Sequence, residues 1–179
     1  MSQLQRQITP CLWFDNQAEA AAKFYTGIFQ HSRIKKITHY TEAGQETHRQ
    51  PPGSVMTVEF ELDGQTFTAL NGGPDFKFSE AVSFQIHCQT QEDIDFFWER
   101  LGVGGDPKAQ VCGWLKDRYG LSWQVIPDRL PQLLADDDRA RASRVMTALL
   151  KMKKIDLNEL ERAAKSSEAT PVTAAAPPR

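Results

Sequence analysis

Apolar and polar positions change their spacing several times along the chain, and each change marks an element. Residues 8–14 (Ile8-Thr9-Pro10-Cys11-Leu12-Trp13-Phe14) read as a strand that Asp15-Asn16 ends. Over residues 17–29 the spacing turns helical, with Ala18, Ala21, Ala22, Tyr25 and Ile28 or Phe29 on one face. A strand is predicted at 33–40. The polar stretch 41–53, with Gly44, Pro51, Pro52 and Gly53, reads as a mobile loop. Residues 55–62 alternate strictly: Met56, Val58, Phe60 and Leu62 on one face, Val55, Thr57, Glu59 and Glu61 on the other. Asp63-Gly64 is then a tight hairpin turn into a strand at 66–70.

The pattern starts again near residue 82. A strand at 82–88 leads into a helix at 91–101, with Thr90 as N-cap and Asp93 at the N3 position. Strands follow at 111–116 and 121–126. This half is shorter, which predicts a curtailed or irregular strand around 102–108. Helices are predicted at 139–154 and 156–165, the second opened by Asp156 with Glu159 completing a capping box.

The two halves echo each other. Leu12-Trp13-Phe14-Asp15-Asn16-Gln17 before one helix returns as Ile86-His87-Cys88-Gln89-Thr90-Gln91 before the other. Asp63-Gly64-Gln65-Thr66-Phe67-Thr68-Ala69-Leu70 resembles Tyr119-Gly120-Leu121-Ser122-Trp123-Gln124-Val125-Ile126. Two copies of one supersecondary unit bury their apolar faces and shape a cavity between them. The expectation is an α+β fold of tandem βαβββ modules. Residues 6–128 form one domain with halves at about 6–74 and 80–128. A helical extension takes 129–165, and the Ala-, Pro-, Ser- and Thr-rich 166–179 is expected to be disordered.

Alternation also predicts the cavity wall. Thr9, Cys11 and Trp13 share a face, leaving Ile8, Pro10, Leu12 and Phe14 for the helix. Ser83, Gln85 and His87 take the matching face in the second half, with Val82, Phe84, Ile86 and Cys88 toward its helix. Thr66, Thr68 and Leu70 correspond to Ser122, Gln124 and Ile126, while Phe67 and Trp123 face the helices. Scattered hydrogen-bonding groups between aromatic walls suit a small organic ligand.

Composition narrows the function. The 179 residues are 40% hydrophobic, enough for a core, and a net charge of −2 gives no reason to expect nucleic acid or an anionic membrane as partner. No apolar run reaches the length of a membrane span, and residues 1–7 lack a signal peptide's hydrophobic core. Cys11, Cys88 and Cys112 sit in apolar, strand-like surroundings and read as buried, reduced thiols of a cytoplasmic protein.

Several motifs together resemble the vicinal oxygen chelate superfamily of glyoxalase and bleomycin resistance proteins. The similarity is to its PhnB-like branch, often labelled demethylubiquinone methyltransferase-like. They are residues 8–14, Gly53-Ser54-Val55-Met56-Thr57-Val58-Glu59-Phe60 and Phe67-Thr68-Ala69-Leu70-Asn71-Gly72-Gly73-Pro74. Cys112-Gly113-Trp114-Leu115-Lys116-Asp117, Gly120-Leu121-Ser122-Trp123-Gln124-Val125 and the segment from Arg144-Val145-Met146 to Lys153-Lys154-Ile155-Asp156 complete the set. The resemblance implies a cupped mixed sheet of eight strands in two halves, and a homodimer. It also implies a place for a metal: relatives that use one put a His or carboxylate at the start of each half's first strand and late in its last. The matching residues here are Thr9, Thr68, Ser83 and Gln124, all neutral, a poor transition-metal set. No metal and no other cofactor is expected. The alternative is a divalent ion held elsewhere, for which a His87–Glu59–Cys11 set can be drawn.

His87 is the best candidate for acid/base catalysis, since imidazole titrates near neutrality, with Glu59 second. Trp13 and Trp114 are candidates for stacking on a flat ligand. The expected ligand-binding set is therefore Thr9, Cys11, Trp13, Thr68, Ser83, Gln85, His87, Trp114 and Gln124. The leading expectation is a metal-free small-molecule-binding protein. The alternative is a metal-dependent lyase, isomerase or dioxygenase of the same superfamily. Methyl transfer is set aside, because no strand, Gly-rich loop and helix follow one another as a cofactor site requires.

Overall fold

The structure, a computed structural model, describes residues 8–166 and divides after Val82 into two compact units. The first unit contains β1 (Cys11–Phe14), α1 (Ala18–Thr26), β2 (Arg33–His39), α2 (Gln45–His48), β3 (Val55–Leu62) and β4 (Gln65–Asn71). Its sheet runs β1-β4-β3-β2, with β1 parallel to β4 and the other pairs antiparallel. Val58, Phe60 and Leu62 are buried on one side, as their alternation predicts, together with Leu12, Phe14, Phe67 and Ala69. The buried stripe of α1 (Ala18, Ala21, Ala22, Tyr25) shares this core, where the Tyr25 and Phe67 rings both stack on Phe60. Small alanines let the helix approach closely, so the sheet keeps one covered face and one open face.

The hairpin between β3 and β4 turns on Asp63 and Gly64, both at positive φ (44° and 82°), as its two-residue turn demands. Asn71, at the end of β4, is buried and makes three links. Its side-chain oxygen accepts from the backbone N–H of Ala18 at the start of α1 (2.8 Å), its amide donates to the Val55 carbonyl (3.0 Å), and its carbonyl accepts from the Tyr40 hydroxyl (2.6 Å). Gln17 caps nothing, and the helix begins at Ala18, one residue later than predicted.

The second unit contains β5 (Ser83–Cys88), α3 (Gln91–Gly102), β6 (Trp114–Lys116), β7 (Ser122–Pro127), α4 (Leu130–Leu134), α5 (Arg139–Leu149) and α6 (Leu157–Lys165). Its sheet runs β5-β7-β6. Thr90 and Asp93 form the predicted capping box of α3. Ile86, Cys88, Trp123 and Val125 are buried with Ile94 and Leu101 of α3. Asp117, buried after β6, accepts from the backbone N–H of Tyr119 (2.8 Å) and Leu121 (3.1 Å) and from the Trp123 indole (2.8 Å). One carboxylate thus fixes the hairpin into β7.

The structure corrects several expectations. The described residues hold seven strands, not eight: the curtailed or irregular strand expected around 102–108 is replaced by a 3-10 turn at Pro107–Ala109. Proline lacks the N–H a ladder needs, and Gly105 presses so close to β6 that a Cβ there would lie 2.1 Å from the Lys116 carbonyl. The strand predicted at 111–116 shortens to Trp114–Lys116, since Val111 bonds back to Trp114 across a turn whose central residues, Cys112 and Gly113, both have positive φ. Ile8 is 94% exposed and Val82 is exposed, so neither packs on a helix; both lie outside the strands. The loop 41–53 holds the single turn α2.

The helix expected over 139–154 stops at Leu149, because the carbonyls of Met152 and Lys153 accept instead from the backbone N–H of Cys112 and Gly113, each at 2.8 Å. Asp156 caps α6 through the Glu159 N–H (3.0 Å). Helix α4 had no sequence signal beyond Pro131 near its start. Gln91 of α3 donates to the Ile155 carbonyl (3.2 Å) and accepts from the Leu157 N–H (2.9 Å), and Lys154 pairs with Asp95 (2.7 Å). The extension is therefore bound to α3 and to the turn before β6. Of the predicted disordered stretch 166–179, all but Ser166 lies outside the described residues.

Candidate functional site

Residues directly opposite on paired strands share a face, so register gives the open face of each sheet row by row. In the first unit one row is Cys11, Thr68 and Glu59, and the next is Trp13, Leu70, Thr57 and Thr38. The β2 register slips at Lys35, and this extra residue reaches Glu59 with an ion pair of 3.0 Å; Arg33 pairs with Glu61 at 3.2 Å. Glu59 is thus an ion-paired group and not simply a solvated one. The Thr38 and Thr57 hydroxyls bond to each other across the same face.

Trp13 is held from two sides. Its indole N–H donates to the Gly73 carbonyl at 2.8 Å, and the Phe76 ring meets it edge-on with centroids 4.9 Å apart. Gly72 lies so close that a Cβ would sit 2.1 Å from the indole ring. The Asn71-Gly72-Gly73 segment is therefore the seat of Trp13. Cys11, expected to be buried, is exposed: β1 is an edge strand, and the open face leaves it uncovered. Its sulfur is still partly desolvated, which raises its thiol pKa above the usual value. Cys88 is buried as expected, and desolvation, reinforced by Asp93 and Asp128, pushes its thiol up to about 12. Cys112 is half-buried in a turn.

In the second unit Ser83, Ser122 and Lys116 form one row, Gln85, Gln124 and Trp114 the next, and His87 stands beside Ile126. The Gln124 amide donates to the Ser83 hydroxyl (2.8 Å) and its oxygen accepts from Gln85 (3.3 Å). His87 lies with Nδ1 3.8 Å from an Asp128 carboxylate oxygen, and both side chains are about half exposed. Asp128 is anchored by its own N–H on the Cys88 carbonyl (2.9 Å). The sequence reading missed Asp128, although β7's alternation carried past Ile126 points to it on the His87 side. Ser122, on the predicted wall though outside the expected ligand-binding set, is buried and its hydroxyl has no hydrogen-bond partner among the described residues.

These faces do not suit a transition metal. Of the four positions that the resemblance matches to metal ligands, Thr68, Ser83 and Gln124 are neutral groups of the sheets, and Ser83 and Gln124 bond to each other. Thr9 lies exposed before β1. Within neither unit do three or more His, Cys, Asp or Glu of the described residues gather closely enough to hold an ion.

The family model described as 3-demethylubiquinone-9 3-methyltransferase matches residues 6–126. A solved structure titled putative 3-demethylubiquinone-9 3-methyltransferase, PhnB protein, from Bacillus cereus, is 34% identical. It covers 68% of this chain and 99% of its own, with a TM-score of 0.57. The chain belongs to this family. Protein PA1353 from Pseudomonas aeruginosa shares the fold at 16% identity, covering 69% of this chain and 98% of its own with a TM-score of 0.53. A glyoxylase/bleomycin resistance protein/dioxygenase domain from Frankia sp. EAN1pec is more distant, at 12% identity over 68% of this chain and 91% of its own, TM-score 0.42. A comparison with curated proteins found no match. The PhnB-like match ends at residue 126, so α4 to α6 lie beyond it.

Proposed function

We propose that this PhnB-like chain binds a small organic ligand on the open sheet faces and does so without a metal. The observation that carries the reading is the Gln85–Gln124–Ser83 chain of hydrogen bonds, a neutral, orienting set where a metal-using relative would place ion ligands. Trp13 on its fixed seat supplies an apolar wall of defined orientation. Assembly as a homodimer in the cytoplasm belongs to the same reading. No described helix is long and apolar enough to cross a membrane.

A second reading, acid/base catalysis, draws on one observation. Asp128, with a carboxylate oxygen 3.8 Å from Nδ1 of His87, can orient the imidazole ring toward a substrate. Methyl transfer finds no comparable support. The connections after β1 (Asp15-Asn16-Gln17) and after β5 (Gln89-Thr90) contain no glycine to cradle a nucleotide-like cofactor at a helix start.

Two measurements test the proposal. Metal analysis and divalent-ion titration of the purified protein are expected to show no stoichiometric tight binding, and a bound ion at one per chain would overturn the metal-free reading. A thermal-stabilisation screen of small molecules is expected to yield ligands whose affinity drops about tenfold in Trp13→Ala and in His87→Ala, with circular dichroism unchanged. Ligands that bind both variants like the parent would place the site elsewhere.

A further inference from the structure

We propose that the groove between α5 and α6 is an additional binding site for a small amphiphilic anion, an organic carboxylate or sulfonate with an apolar body. The groove has a volume of about 470 Å³, within the range of small-molecule sites at about 300–1,000 Å³. It lies in the extension beyond the PhnB-like match, so it is independent of the sheet faces and of the function proposed for them.

Two features of the lining select the ligand. Ala148, Met152 and Ala163 make part of it apolar, and Arg144, Lys151 and Arg162 bring three cations to it. Arg162 is answered by Glu159 one turn before it. Arg144 and Lys151 have no carboxylate partner among the described residues. Arg144 donates instead to the carbonyls of Ala163 (3.1 Å) and Ala164 (3.4 Å), which fixes its guanidinium at the end of α6. A helix end offers roughly half a unit of negative charge, less than one guanidinium carries. Two cations thus stay uncompensated in one groove of a chain whose net charge is −2. An inorganic ion would answer the charge and leave the apolar lining wet. A neutral apolar molecule would cover the lining and leave the charge unanswered. An anion with an apolar body answers both.

The test titrates the full chain at low salt with 8-anilinonaphthalene-1-sulfonate and with its uncharged relative N-phenyl-1-naphthylamine. The readout is the methyl resonance of Met152, assigned through Met152→Leu. The sulfonate is expected to shift that methyl saturably, and the uncharged compound to bind about tenfold more weakly. Lys151→Glu is expected to weaken the sulfonate about tenfold. Lys153→Glu, the same charge change at a residue outside the lining, is expected to weaken it clearly less than Lys151→Glu, because the attraction falls with distance from the bound anion. Ala148→Leu fills the groove without altering charge and is expected to weaken binding about tenfold, which keeps the test decisive should Lys151→Glu perturb the helix. An unmoved Met152 methyl, equal affinity for the uncharged compound, or equal effects of Lys151→Glu and Lys153→Glu would each overturn the proposal.

Discussion

Gly72 shows how one missing side chain can organise a site. Because a Cβ at this position would lie 2.1–2.4 Å from three atoms of the Trp13 indole, the ring can occupy its place only over glycine. Gly72→Ala must displace the ring and break its bond to Gly73, and is expected to cost about 1–3 kcal/mol in urea unfolding. The cysteines separate just as sharply. With its thiol pushed from 9.0 to about 12, Cys88 holds almost no thiolate at pH 8, and it is buried as well. Alkylation followed by mass spectrometry is expected to label Cys11 first and Cys88 only on unfolding. The same shift has a consequence for stability. Between about pH 9 and 12 the unfolded chain releases the Cys88 proton while the folded chain keeps it, so folding weakens as pH rises through that window.

Among the elements, the turn Val111-Cys112-Gly113-Trp114 shows where sequence patterns stop being informative. The apolar run 111–116 satisfies a strand pattern, yet Cys112 and Gly113 at φ of 51° and 85° reverse the chain within it. Cysteine rarely adopts such an angle, and what holds it there is a pair of bonds to carbonyls some 40 residues later, which no local window can reveal. Asparagine tolerates that backbone better, so Cys112→Asn is expected to stabilise the protein by about 0.5–1 kcal/mol in the same unfolding assay. Elements with a strong period were legible: β3, its hairpin and the Thr90–Asp93 capping box stand in their predicted places, and α1 starts within a residue of its prediction but ends at Thr26, three residues early. Which residues of a strand share a face was legible for the same reason, as with Cys11 and Trp13 or Gln85 and His87; the register that sets Thr68 beside Cys11 and Gln124 beside Gln85 was not. Long-range partners were not. Lys35 reaches Glu59 only through a register slip, and Asp128 follows a proline that seemed to close its strand.

Across the whole molecule, the repeat explains two sheets of similar plan, and the extension explains how they differ. Where the first unit completes its sheet with a long β2, the second has a 3-10 turn and leans on the segment after α5. Gln91 is the hinge pin of that arrangement, bonding both to the Ile155 carbonyl and to the Leu157 N–H. Gln91→Ala leaves both backbone groups without that partner, and calorimetry is expected to show a loss of about 1–3 kcal/mol. Its effect should exceed that of Lys154→Ala, which removes only a partly exposed ion pair.

The strap from Cys112 and Gly113 to Met152 and Lys153, with Gln91 gripping Ile155 and Leu157, also sets an order of events during synthesis. Every contact of the first unit's sheet joins residues before 72, so that sheet can form as soon as its last strand clears the ribosome. The second unit must wait. Its turn and the first residue of its helix are tied to chain made some 40 to 65 residues later, so a nascent polypeptide paused before residue 152 carries a finished first half and a second half whose clasp has not yet been translated.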